Sequence, residues 1–429
     1  MASSWGRYPR VQQETIPVCD RSSSLPGFPG KGLPHGNGRS YGDSCLCPGG
    51  TVLLTKGLDR FIHFDPASGL LDCEPGVLLT DIIDLALPHG WFLPVTPGTR
   101  YVTVGGAIAN DVHGKNHASA GSFGDHVEAF ELLRSDGERR ICTGSTNHDW
   151  FSATVGGLGL TGLLTRAQLQ LRRVPGAVLD VETQRFEKLD DFFSLSSQDS
   201  GHEYNVAWVD CLARGRQLGR GVLIRANHCA AAPLETGKGV ARLPVAPPFS
   251  LVNNLSLRLF NTLYFKRALR RRMTQQLNYL QYFYPLDRIA NWNLMYGPNG
   301  FLQYQCVVPP EDASTVVREL LDRIAAAGQG SFLAVLKQFG NRRSRGWMSF
   351  PRPGTTLALD FPYRGDKTLQ LLDTLDQTVL TAGGAVYPAK DARMSAEMFA
   401  ASFPELERFR AYIDPQFSSG LWRRVAEDA

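Results

Sequence analysis

Between Val95 and Val127 the chain places six glycines, three histidines and one lysine in 33 residues, with no long apolar face to bury. Gly98, Gly105, Gly106, Gly114, Gly121 and Gly124 let the backbone approach another surface closely, at an entropic cost that a bound group must offset. Two more glycine clusters flank this stretch, His35–Asp43 (HGNGRSYGD) upstream and Val155–Gly162 (VGGLGLTG) downstream. Any one of the three also reads as a run of tight turns in a β-rich domain. Three together point to converging backbone N–H groups, the chemistry that holds a pyrophosphate. His113 and Lys115 lie inside the central stretch. An imidazole or a neutral amine beside a cofactor accepts a proton when its pKa is brought toward neutrality.

A nicotinamide dinucleotide fold is excluded by context. Gly157-Leu-Gly159-Leu-Thr-Gly162 fits G-x-G-x-x-G, but that fingerprint opens a helix, and here it runs into the strand-like LLTRAQLQL. Asp180 and Glu182 fall near the distance of a ribose-binding acid, yet beyond the Pro175-Gly176 break. HGNGRSYGD does not fit either, because Tyr41 stands where the third glycine belongs.

The loops need elements to carry them. Leu78–Leu87 has apolar residues at helical spacing and stops at Pro88-His89-Gly90. Short strands are predicted at Thr51–Thr55, Phe61–Phe64, Leu70–Glu74, Trp91–Val95 and Leu163–Leu171, with a short helix over Val104–His113. Val127–Leu133 and Arg139–Thr143 form a hairpin around Ser135-Asp136-Gly137. This is an α+β domain with a mostly antiparallel sheet. The pattern breaks at Arg172–Gly176. Beyond it, Phe301–Val308, Phe332–Lys337 and Thr356–Phe361 read as strands, and Ala313–Ala327 and Lys367–Thr381 as amphipathic helices, giving a second α+β domain. The tail, Asp391–Asp428, reads as mainly helical.

Composition narrows the class. With 429 residues, two or three domains are expected. Hydrophobic content of 43%, charged content of 20% and a net charge of +4 describe a soluble globular protein with no partner dictated by its overall field. Of eight cysteines only Cys45 and Cys47 are close, which is no zinc signature. No metal is expected, and the cysteines read as free thiols of a reducing compartment. The N-terminal residues lack an apolar core for a signal peptide, and no run of about 18 apolar residues occurs. A cytoplasmic protein, or one peripheral on a membrane, is expected. Leu251–Met273 carries Arg258, Lys266, Arg267, Arg270, Arg271 and Arg272 among leucines and aromatics, with no acid. Such a segment suits an anionic membrane surface, though a helix packed on the core explains it equally. Arg342-Arg343-Ser344-Arg345 is too short to imply nucleic acid, and none is expected.

HGNGRSYGD, TPGTRYVTVGGAIANDVHGKNHASAGSFGDHV, ATVGGLGLTG, NWNLMYGPNGFLQYQCVVP and YPAKDAR, in that order and spacing, resemble the vanillyl-alcohol-oxidase or PCMH-type FAD proteins. Within them the likeness is to the oxidases of polyprenylphosphoryl-ribose, over nearly the full length. The resemblance implies a PCMH-type FAD-binding domain of two subdomains, residues 1–173 completed by 388–429. It implies an α+β substrate domain, residues 174–387, with an antiparallel sheet. The implied reaction oxidises the 2′-hydroxyl of polyprenylphosphoryl-β-D-ribose to the 2′-keto sugar, the first half of epimerisation to the arabinose form. A separate NADH- or NADPH-dependent keto-sugar reductase would complete it.

The same resemblance implies roles for residues. FAD would be cradled by Gly36, Asn37, Gly38, Arg39, Ser40, Tyr41 and Gly42. Pro97, Gly98, Thr99, Thr103, Gly105, Gly106, Ala109 and Asn110 would follow, then His113, Gly114, Asn116, Ser119, Gly121, Ser122 and Gly124. Gly157, Gly159 and Gly162 would finish the cradle. Covalent relatives carry a histidine near Tyr41; Ser40-Tyr41-Gly42 offers none, so FAD is expected to bind non-covalently. Lys390 would contact the reacting hydroxyl and share the proton work with His113, with Tyr41 over the substrate entrance. Lys115 would bind the phosphate of the lipid-linked sugar, Lys337 line the pocket, and Gln303 and Gln305 orient the sugar hydroxyls. Phe283, Thr356 and Ala358 would form the pocket edge. Two positions depart from the pattern. Ala358 replaces a cysteine of the mycobacterial enzymes, which predicts insensitivity to inhibitors that trap that thiol, and Phe283-Tyr284 stands where Tyr-His is usual. Two rival readings are an alditol or aldonolactone oxidase that uses oxygen, and a flavin-free binding protein of the same fold.

Overall fold

The computed structural model of the chain describes residues 2–199, 201–232, 234, 240–267 and 272–427. Its α+β architecture rests on three sheets. The expected hairpin, Val127–Leu133 with Arg139–Thr143, joins Phe61–Asp65, Leu70–Cys73 and Leu163–Gln170 in a five-stranded antiparallel sheet. Leu79–Ala86 is helical as its spacing predicts, with Leu79, Ile82, Ile83 and Ala86 buried. Val104–Ala109 is a short helix whose first turn is capped by the Thr103 hydroxyl, which accepts from Gly106 N.

The other small sheet was not foreseen. Glu14–Pro17, Thr51–Leu54 and Gly32–His35 form a parallel three-stranded sheet, so the first 55 residues hold more order than their loop-rich composition suggests. The strand at Trp91 is only two residues long and pairs with Arg172–Arg173. The segment read as a break therefore begins as a strand.

Eight antiparallel strands form the largest sheet, with Ala334–Phe339, Gly354–Pro362 and Phe301–Val308 side by side near one end. Alternation along these strands decides what each face does. Leu302, Tyr304, Cys306, Leu336, Leu357 and Leu359 point into the main core. There they meet Val317, Leu320, Leu321 and Ile324 of helix Ala313–Ala327, and Leu371, Leu372, Leu375 and Val379 of helix Asp366–Thr381. The opposite parity, in register, brings Gln303 beside Asp360, Gln305 beside Ala358, Ala358 beside Val335, and Thr356 beside Lys337. A fully apolar face would have sealed against the core; Gln303, Gln305, Thr356, Asp360 and Lys337, set among Val335 and Ala358, leave it to a ligand.

The tail is built of short helices, Ala396–Ser402, Leu406–Arg410 and Gly420–Trp422, and returns to the N-terminal sheets. Gly32 N donates to Gln416 O, Ser418 N donates to Gly32 O, and Phe417 joins Val18, Leu53, Leu58, Leu133 and Leu163 in a small core. The basic segment divides into helix Asn254–Arg267 and a strand from Arg272, while Arg270 and Arg271 lie outside the described residues. No helix among the described residues is long and apolar enough to cross a membrane.

Candidate active site

The glycine loops, the polar sheet face and the segment Tyr387–Lys390 enclose a cavity of about 570 Å³. Gly36–Tyr41 forms one wall, Pro97–Thr103 with Gly105–Lys115 a second, and Leu158–Leu164 contributes a third. The first two walls pack so closely that a Cβ on Gly36 would lie 2.3 Å from Thr103 Oγ1. Gly38 and Gly159 adopt φ of 59° and 76°, the left-handed region that glycine enters without steric cost. The backbone N–H groups of the half-buried residues Asn37, Gly38, Arg39 and Ser40 have no acceptor among the described residues. Unpaired backbone donors facing a cavity fit an anionic ligand such as a pyrophosphate. The donor set fits FAD.

On the polar face, four ionisable side chains come together. Lys390 Nζ lies 4.0 Å from the centre of the Tyr41 ring, whose edge meets Phe301. Asp360, almost fully buried, accepts from Gln303 Nε2 at 2.6 Å and from the Tyr296 hydroxyl at 3.3 Å. His113 is bonded on both ring nitrogens. Gln305 Nε2 lies 2.8 Å from its Nε2, and Lys337 Nζ lies 3.1 Å from its Nδ1. The Gln305 amide nitrogen can only donate, so His113 Nε2 accepts from it, and the single N–H of the neutral ring, on Nδ1, points to the Lys337 amine. Lys337 also donates to Gly114 O at 3.3 Å.

Burial governs how these groups titrate. It lowers Lys390 to about 8, and the Asp360 carboxylate opposes that shift. Lys337 falls to about 7 through burial and the neighbouring Lys390, and Lys115 to about 7 through burial and Lys337. His113 drops well below its usual range through burial, then Lys337, His117 and Lys390. Asp360 rises to about 6 through burial, resisted by Gln303, Lys390 and Tyr296. Three amines and an imidazole crowded in low dielectric cannot all carry charge, so near neutral pH the cavity holds bases able to accept a proton.

The sequence-predicted residues divide into those at the cavity and those behind it. Tyr41, His113, Lys115, Gln303, Gln305, Lys337, Ala358, Phe283 and Lys390 line it, as do Gly36, Gly38, Gly98, Gly105, Gly106, Gly114, Gly159 and Gly162. The second half of the central stretch turns away. Asn116 donates to Pro94 O and Glu203, and Ser119 donates to Asn116 O. Gly121 and Ser122 pack around Asp125, and Gly124 N donates to Asp111 Oδ1. These residues shape the loop and do not line the cavity; most of their polar groups bond to neighbours, while the buried Asn116 Oδ1 has no partner among the described residues. Gly157 packs on Ala153 O, and Gly42 on the backbone of Asp391. Thr356 sits behind Gln305, accepting from its Nε2 at 3.1 Å. Lys115 lines the cavity but donates to Tyr282 O, with its Nζ 4.2 Å from the Tyr282 ring centre. Asp360 and Tyr387 went unnamed. A lone acid alternating with apolar residues in TTLALDF was the available signal for Asp360. Tyr387, stacked on Phe350 and donating to Asn110 O at 2.8 Å, opens the YPAKDAR motif that also carries Lys390, and that motif was its signal.

Comparison with known proteins places this geometry. The FAD binding domain family matches residues 30–143, which span the first two cradle loops. The chain is 37% identical over 411 residues, 92% of its length and 88% of the relative's, to decaprenylphosphoryl-β-D-ribose oxidase of Mycolicibacterium smegmatis. It is 38% identical over 373 residues to an uncharacterised protein in the mprA 5′ region of Streptomyces coelicolor, covering 81% of this chain and all of that one. Likeness to L-gulonolactone oxidase of Mus musculus, 31% over 137 residues, covers only 32% of this chain and 30% of that protein. With the flavin cradle in place and most of both chains aligned, this chain belongs to the decaprenylphosphoryl-β-D-ribose oxidase family of FAD-dependent oxidoreductases.

Proposed function

We propose that the chain oxidises the 2′-hydroxyl of a polyprenylphosphoryl-β-D-ribose to the 2′-keto sugar, with FAD held non-covalently. The observation that carries this reading is the amine of Lys390 set over Tyr41 beside the Gln303–Asp360 pair, inside the cradle's cavity. FAD, when bound, supplies the acceptor for the hydride that leaves the sugar carbon. As that C–H bond breaks, the hydroxyl must lose its proton, and the neutral form of Lys390 takes it. The neutral His113, bonded to Gln305 and Lys337, holds those two side chains in place at the cavity. Gln303 and Gln305 present amides on one strand face for the remaining sugar hydroxyls. An arriving phosphate raises the pKa of Lys115, because an opposite charge within a few ångströms favours the ammonium form.

Substrate and cofactor meet between two parts of the chain, residues 1–173 with 388–429 on the cofactor side and 174–387 on the substrate side. A separate NADH- or NADPH-dependent reductase then returns the ketone as the arabinose form. The lipid of the substrate stays at a membrane surface, reached through an apolar patch. Nine of the twelve large apolar side chains exposed among the described residues fall between Val240 and Met273. The patch adjoins the cavity through Val240 and the paired strands Ala241–Arg242 and Ile289–Ala290. Mixing the holoenzyme anaerobically with polyprenylphosphoryl-ribose is expected to bleach its flavin. Bleaching by free polyols or aldonolactones instead, with hydrogen peroxide release in air, would overturn this reading.

A further inference from the structure

Behind the cavity, the loop that carries Tyr41 and the loop that carries Lys390 are stitched together. Tyr41 N donates to Ala389 O at 2.9 Å. Gly42 lies so close that a Cβ there would fall 1.6 Å from Asp391 O, so the two backbones touch. Each loop then presents a buried carboxylate, Asp43 from the first and Asp391 from the second. Two neighbouring buried carboxylates repel unless a cation bridges them or one of them takes up a proton.

Arg424, on the last turn of the tail, is that cation. Its Nη2 lies 2.9 Å from Asp43 Oδ1 and 3.1 Å from Asp391 Oδ2, its Nε 3.4 Å from Asp43 Oδ2, and its Nη1 donates to Met394 O. Asp391 also accepts from the backbone N–H groups of Arg393 and Met394, both at 2.9 Å, so its carboxylate is the hub of the turn that follows Lys390. Arg393 ties the same turn to helix Asp366–Thr381 through Asp376, at 2.7 and 2.8 Å. Arg393 reaches only one of the two loops, whereas Arg424 spans both. The planar guanidinium suits this, since it can bond two carboxylates from one plane where a lysine ammonium is a single point charge.

We infer that Arg424 is a positioning residue for the reaction, clamping Asp43 to Asp391 and thereby fixing Lys390 against Tyr41. This rests on the oxidase reading for its consequence in catalysis, but the clamp itself is readable without substrate. Loss of Arg424 frees the two carboxylates to part, and the Lys390 amine moves from the Tyr41 ring toward water. A misplacement of about 1 Å at such a group costs on the order of 100-fold in rate.

The test is competitive trace labelling of the FAD-loaded enzyme with limiting acetic anhydride across pH, read lysine by lysine by mass spectrometry. In Arg424→Met, Lys390 is expected to titrate closer to an ordinary lysine and, at pH above that midpoint, to label several-fold faster than in the wild type, while Lys337 and Lys115 on the other walls stay as in the wild type. Flavin reduction by substrate is expected to slow on the order of 100-fold. If Arg424→Met does not fold, Arg424→Lys keeps a charge near Asp43 without spanning both loops and is read in the same way. Lys390 labelling unchanged against Lys337 in the folded variant overturns the inference, as does an equal rise at all three lysines, which marks general loosening. A wild-type flavin that polyprenylphosphoryl-ribose fails to bleach would overturn the substrate reading and leave the labelling result standing.

Discussion

The amine of Lys390 works as a base only when unprotonated, and its pKa of about 8 lies within reach of physiological pH. The sign follows directly. Below about 8 the ammonium has no lone pair for the substrate proton, so anaerobic flavin reduction is expected to rise with pH through that value and then level. Asp360 raises the pKa of Lys390, so Asp360→Asn should carry this limb to lower pH. A limb that stays put in Asp360→Asn would show that another group is titrating. Lys390→Ala should retain FAD while reduction slows at least about 100-fold, within the range given up when a general base is lost. His113 and Lys390 could be read from motifs because their neighbours in the chain carry the pattern. Asp360 could not, because what makes an acid functional here is the register that sets it beside Gln303 and near Lys390, and register is a property of the sheet.

Helix Asn254–Arg267 shows the same limit at the scale of an element. Its sequence mixes leucines and aromatics with three basic residues and no acid, a composition that suits a core helix or a membrane helix. The structure buries Leu257, Asn261 and Phe265 as one narrow stripe and leaves Leu255, Leu259 and Leu263 at 79%, 61% and 59% exposure. Its described basic residues, Arg258, Lys266 and Arg267, face no acid within the helix. Three solvent-facing leucines on a basic helix are costly to leave in water and suit the boundary of an anionic bilayer. Replacing Leu255, Leu259 and Leu263 together by glutamate should release the enzyme from vesicles containing anionic lipid while leaving its melting unchanged. Cosedimentation equal to the wild type would refute membrane contact through this face. The glycine loops give the opposite lesson. Composition marks where the backbone must be free, but it does not separate Gly38, which faces the cavity, from Gly42, which lets two loops touch.

At the scale of the molecule, the local patterns predicted an α+β fold and most of its longer elements, whereas closure of the N-terminal part by the tail was implied by the family resemblance and not by any local pattern. Nothing in residues 411–418 signals that Phe417 completes a core begun by Val18 and Leu53, since the partner lies hundreds of residues away. Phe417 is almost wholly buried there, so Phe417→Ala should cost about 3–5 kcal/mol, as for other large aromatic truncations. Denaturant unfolding would measure it, and a loss below about 1 kcal/mol would mean that the tail only rests on the sheet. The closure has a consequence for how the protein is made. Leu53 leaves the ribosome 364 residues before Phe417. At ordinary elongation rates that is about 20–70 s during which a nascent parallel sheet lacks its cover. Through that interval the growing chain presents sticky surface to the cell, and its yield depends on whatever chaperones shield it until synthesis reaches the tail.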